Sequence, residues 1–174
     1  GFTEGYYYKP RVDMEVLNKY HEGIIALSAC LAGEVQRYIT KGLVDEARKS
    51  ALKYEACFGK DNYFIEIQDH GLAEQKQTNP LLIKLAGELG VGVVATNDVH
   101  YLKREDAFTQ SVMMCIQTNS LISDGRPLGF EADEFYMKST EEMYSLFSDV
   151  PEAVENTQKI AEMCNFDFCF DKIF

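Results

Sequence analysis

The stretch VVATNDVHYL, residues 93–102, begins as an apolar run and ends on a carboxylate and an imidazole two positions apart. A strand covered on both faces reads as a near-continuous apolar segment, and Val91–Thr96 has that character. In extended backbone Asp98 and His100 point to the same side, so the end of the strand presents both side chains together. Working outward, two earlier segments share this form: Gly23–Ala29 (GIIALSA) and Tyr63–Gln68 (YFIEIQ), the latter entered through Gly59-Lys60-Asp61-Asn62. Each of the three is followed by helical periodicity. Strand–helix alternation predicts an α/β domain built on a parallel sheet, with its site at the carboxyl ends of the strands.

The helices are legible from spacing. Leu43, Ala47, Ala51, Tyr54 and Phe58 recur every three to four residues and form an apolar stripe. Leu82, Leu85, Ala86 and Leu89 do the same before Gly90, a C-terminal stop. Asn79-Pro80 fits either the start of that helix or an interior proline in one beginning near Ala73. Arg104–Gln117 reads as a further helix, 119–131 as turn-rich, and Glu134–Lys138 as a short strand. Ser139-Thr140-Glu141-Glu142 has the form of a capping box, and Pro151 suits the first turn of a last helix.

Composition bounds the function. The 174 residues are 46% hydrophobic and 26% charged, enough for one core, and one domain over 1–174 is the expectation. No apolar run approaches the roughly 18–20 residues of a membrane span, and residues 1–20 lack the features of a signal peptide. A cytoplasmic chain is expected. Its five cysteines, Cys30, Cys57, Cys115, Cys164 and Cys169, are odd in number and read as reduced thiols. The net charge of −11 argues against a self-sufficient nucleic-acid binder, because phosphate affinity comes mainly from Lys and Arg. Any DNA is then held by metal or by neighbouring domains. Gly1-Phe2-Thr3 lacks an initiator Met, and the chain is read as a piece of a longer one.

The expected strand ends collect chemistry. The first runs into Ser28-Ala29-Cys30, the second through Glu66 into Asp69-His70-Gly71, the third into Asp98 and His100. Asp-x-His with a distant Cys suits zinc, and the carboxylate also accepts manganese. Each residue has a plainer reading. Asp98 can simply orient His100, Cys30 can be a small buried residue, and His70 can be a loop histidine bonded to backbone. Glu66 is either an acceptor behind the site or an outward-facing charge. Tyr6-Tyr7-Tyr8-Lys9-Pro10-Arg11 could stack bases and meet phosphates, or be a tyrosine-rich strand packed on the domain.

Taken together, YYYKPRVD, LSACLAGE, FIEIQDHGLAEQK, VVATNDVHY and DEFYMKSTEEMYSLF resemble the PHP (polymerase and histidinol phosphatase) domain of bacterial DNA polymerase III α subunits of the DnaE type, in the family's order along essentially the whole chain. The resemblance implies part of a distorted seven-stranded (β/α)7 barrel, similar to a TIM barrel, with amino-terminal strands preceding Gly1. It implies a divalent metal site in which Cys30, Asp98 and His100 are ligands, with His70 nearby as a candidate catalytic residue, in contact either with substrate or with the ligands from behind. The family's His-x-His motif and its intermediate ligands belong to the portion before Gly1, so metal binding by these 174 residues alone is expected to be weak. For the parent protein the resemblance implies DNA-directed DNA polymerisation, with the PHP site either a 3′–5′ exonuclease or a non-catalytic scaffold. The partners implied are DNA, the other polymerase domains and further subunits of the polymerase III holoenzyme. A free-standing PHP phosphoesterase is the remaining alternative.

Overall fold

A computed structural model describes residues 1–124 and 132–170. The chain divides into two compact units, Gly1–Ile67 with Gly71–Val93, and Gln68–His70 with Val94–Phe174.

The first unit opens with a two-residue antiparallel pair, β1 (Tyr6–Tyr7) and β2 (Lys9–Pro10), turned at Tyr8 with φ 60°. The tyrosines do not pack on the domain as a strand would. Tyr6, Tyr7 and Tyr8 are all exposed. Helix α1 (Met14–Tyr20) is capped by Asp13, whose carboxylate accepts from the Val16 amide at 2.9 Å. His21 ends it and turns its Nδ1 back onto the Asn18 carbonyl at 2.9 Å.

Next come β3 (Ala26–Leu27), α2 (Glu34–Thr40), α3 (Val44–Phe58), β4 (Tyr63–Ile67) and α4 (Ala73–Leu89). β3 pairs parallel with β4, Ala26 opposite Tyr63 and Leu27 opposite Phe64. β5 (Gly92–Ala95) follows β4 in the order β3-β4-β5 and carries the chain from the first unit into the second. β4 is the core strand. Tyr63, Phe64, Ile65 and Ile67 are all buried, and α3 and α4 lie against it.

The first strand is much shorter than Gly23–Ala29, because Gly23 (φ 75°) and Ala29 (φ 67°) turn the backbone out of extended geometry at both ends. The Asn79-Pro80 alternative resolves to an interior proline in a helix that starts at Ala73. Pro80 forfeits one helical hydrogen bond, a cost of about 3 kcal/mol in an isolated helix. Burial of Gln75, Thr78, Leu82, Leu85 and Ala86 on one face offsets it. Gly90 ends the helix in the left-handed region at φ 67° and donates to the Gly87 carbonyl.

In the second unit a 3-10 turn at Arg104–Asp106 leads into α5 (Ala107–Thr118), which Asn119 ends at φ 53°. Of the expected turn-rich 119–131, residues 122–124 form a 3-10 turn, and 125–131 lie outside the described residues. The expected strand over Glu134–Lys138 is reduced to one parallel bridge, Tyr101 with Tyr136. The capping box is present as read. Ser139 Oγ accepts from the Glu142 amide at 3.2 Å, and Glu142 Oε2 accepts from the Ser139 amide at 2.7 Å, opening α6 (Thr140–Leu146). α7 (Pro151–Met163) begins on its proline. Val94, Ala95, Cys115, Phe135, Phe147, Ala153 and Val154 are this unit's buried apolar residues.

Candidate metal centre

Cys30 sits where β3 leaves the sheet. The left-handed Ala29 before it is held by Glu66 on β4, whose Oε2 accepts the Ala29 amide at 3.1 Å. Glu66 is therefore an acceptor behind the loop. Ser28 Oγ accepts the Glu66 amide at 2.8 Å and Gln36 Nε2 at 2.6 Å, and Gln36 Nε2 also reaches the Ala29 carbonyl at 2.7 Å. A Cβ on Gly33 would stand 2.3 Å from the Ser28 carbonyl oxygen, so the turn into α2 admits only glycine there. The thiol of Cys30 is reduced and half-buried.

Asp98 and His100 lie in the second unit, just beyond β5. Their expected extended backbone is not what brings them together, since Asp98 is left-handed at φ 46°. His100 Nδ1 instead bonds the Asp98 carbonyl at 2.7 Å, with Asp98 Oδ1 at 3.9 Å. A carbonyl only accepts, so Nδ1 carries the proton and the lone pair of the neutral ring sits on Nε2. That is the arrangement of a metal-ligating histidine oriented by a backbone oxygen. The His100 amide donates to the Phe135 carbonyl at 2.8 Å, and its ring meets Phe135 edge-on at 5.4 Å between centroids.

The residue before this pair is clamped. The Asn97 carbonyl accepts from His70 Nε2 at 2.9 Å, its Nδ2 donates to the Tyr136 carbonyl at 2.7 Å, and its Oδ1 accepts from Lys138 Nζ at 3.2 Å. His70 is 1% exposed and stacks on Phe135 at 4.0 Å. Burial lowers its pKa, against the Asn97 bond, which raises it. Its bond to the Asn97 carbonyl is the backbone bond that the plainer reading expects. Lys138 keeps only 4% of its side chain exposed, donates also to the Glu134 carbonyl, and lies 4.4 Å from the centre of the Tyr136 ring. Burial lowers its pKa, with Glu134 opposing. Asn97, Phe135, Tyr136 and Lys138 were not singled out from sequence as site residues. Phe135, Tyr136 and Lys138 lie in EFYMK, which was read only as a short strand, and Asn97 in the opening stretch.

As a donor set, the Asp98 carboxylate and the His100 Nε2 fit two positions around zinc or manganese. They do not make a complete shell. Among the described residues no three His, Cys, Asp or Glu side chains group so as to hold a metal ion.

Residues 1–70 match the PHP domain family. The chain is 52% identical over 164 residues to the DNA polymerase III subunit alpha of Treponema pallidum (strain Nichols), covering 94% of this chain and 14% of that protein. It is 51% identical over 172 residues to that of Deinococcus radiodurans, covering 96% and 13%. It is 41% identical over 169 residues to that of Thermus aquaticus, covering 95% and 14%. This chain is similar along nearly its whole length to a segment of DNA polymerase III α subunits, and its first 70 residues to the PHP domain family. The PHP match takes in Cys30, Glu66 and His70, whereas Asp98 and His100 lie beyond it, within the longer matches to the α subunits. The chain spans about one seventh of the length of these relatives.

Proposed function

We propose that this chain serves as the PHP segment of a bacterial DNA polymerase III α subunit, a DNA-directed DNA polymerase acting in DNA replication in the cytoplasm. The observation that carries this is the 52% identity along 94% of the chain. In the intact subunit Cys30, Asp98 and His100 contribute donors to a zinc or manganese site completed by residues outside this chain, and the site acts as a 3′–5′ exonuclease on mispaired ends. The His100 tautomer supports the ligand role. When bound, such a metal supplies a hydroxide nucleophile and neutralises charge on the scissile phosphodiester. The partners are DNA, through the parent protein, and the other domains and subunits of the holoenzyme. For the 174 residues alone, with part of the donor set, we expect weak metal binding and no appreciable hydrolysis.

The second reading is a non-catalytic scaffold that supports the polymerase core and its partners, a role that needs no complete ligand set. Full-length protein carrying Asp98→Ala and His100→Ala separates the two. The exonuclease reading expects loss of bound zinc or manganese and at least about a 100-fold fall in exonuclease rate, with polymerisation unchanged. Equal exonuclease rates in variant and wild type leave the scaffold.

A further inference from the structure

Lys138 is the least expected cation in the second unit. Its side chain is 4% exposed, and an ammonium taken out of water costs several kcal/mol unless its donors are used. Those donors go to Asn97 Oδ1 at 3.2 Å and to the Glu134 carbonyl, with the Glu134 carboxylate 3.8 Å away. Glu134 does not depend on Lys138, because Arg104 Nη1 stands 2.6 Å from its carboxylate. A methionine of similar length would fill the same space without the desolvation penalty. Packing therefore does not call for an amine. What the amine supplies beyond packing is its bonds to the Glu134 carbonyl and to Asn97, the residue immediately before left-handed Asp98.

Asn97 is otherwise held through its carbonyl by His70 and through its Nδ2 by the Tyr136 backbone. Only Lys138 holds its side-chain oxygen among the bonds described. With both ends of the amide engaged, rotation about the Asn97 side chain is blocked, and the direction in which the chain enters Asp98 is set. Two residues later the His100 amide and ring meet Phe135, so the turn is pinned at both ends by the 134–138 segment.

We propose that Lys138 is a positioning residue: through Asn97 it sets the orientation in which Asp98 and His100 offer their donors to a divalent cation. This rests on the ligand role assigned to Asp98 and His100 above. Groups that orient ligands in this way typically change metal affinity about 10–100-fold when removed.

The test uses full-length polymerase and two readouts: manganese(II) affinity by titration calorimetry, and hydrogen exchange by mass spectrometry of the metal-free protein. Lys138→Met and Asn97→Ala are each expected to weaken manganese binding about 10–100-fold. The double variant should bind no more weakly than Asn97→Ala, because that substitution already removes the bond to Lys138. Exchange should quicken in the peptide covering 96–101 and stay unchanged in β4. If Asp98→Ala abolishes manganese binding while Lys138→Met binds as wild type, the proposal is overturned. If Asp98→Ala and His100→Ala leave binding untouched, the metal reading fails instead. Exchange then decides the anchor by itself: faster exchange at 96–101 in Lys138→Met upholds it, and unaltered exchange overturns it.

Discussion

His70 shows how much one buried side chain can contribute at this site. Its Nε2 donates to the Asn97 carbonyl, its ring lies on Phe135, and Asn97, Lys138, Asp98 and Asp69 are the polar groups that act on it. Burial dominates, so the folded protein holds its pKa below the ordinary 6.5. Above 6.5 the ring is neutral in folded and unfolded chains alike and its contribution to stability is fully present. As pH falls below that value the unfolded chain takes up the proton first, and the contribution is lost progressively down to the folded pKa. Chemical denaturation of wild type and His70→Asn across this acid range should show a shallower loss of stability in the variant. Parallel pH profiles would remove His70 from the account. His70 was legible in the sequence as a loop histidine bonded to backbone, but its acceptor was not, because Asn97 lies 27 residues away.

At the scale of elements, α6 ties local chemistry to the site. Its capping box fastens the chain immediately after Lys138, and Glu142, which closes that box, also accepts from the Tyr136 hydroxyl at 2.6 Å. Ser139→Ala should cost about 1 kcal/mol of stability. The loss is measurable by urea denaturation, and an unchanged midpoint would mean that the cap contributes nothing. This motif was read directly from Ser139-Thr140-Glu141-Glu142, since a capping box is complete within four residues. α3, α4, β4 and β5 were legible for a related reason: periodicity and flanking glycines are local. β3 was not. Its apolar run extends from Gly23, yet Glu66 holds the Ala29 amide from 37 residues away in a left-handed conformation that ends the strand.

For the whole molecule, charge limits what these 174 residues can bind by themselves. A chain with net charge −11 has little with which to displace counterions from a nucleic acid, despite the exposed Tyr6, Tyr7 and Tyr8 beside Lys9 and Arg11. Fluorescence anisotropy with labelled single-stranded DNA at physiological salt should give binding by the 174-residue chain no tighter than a Kd of about 10⁻⁴ M. Micromolar binding abolished by replacing the three tyrosines would instead make that hairpin a base-stacking surface. No described helix is long and apolar enough to cross a membrane. By itself the sequence determined the α/β class, the long helices, the two later strands, and the Asp98–His100 pair within a PHP-like order of motifs. Each element and motif among these depends on residues within a few positions of one another. Tertiary structure alone decided the early end of β3, the left-handed turn at Asp98, the tautomer of His100, and the hold of Tyr136 and Lys138 on Asn97. Those last two partners lie 39 and 41 residues from Asn97, and no local periodicity encodes a hydrogen bond across that distance.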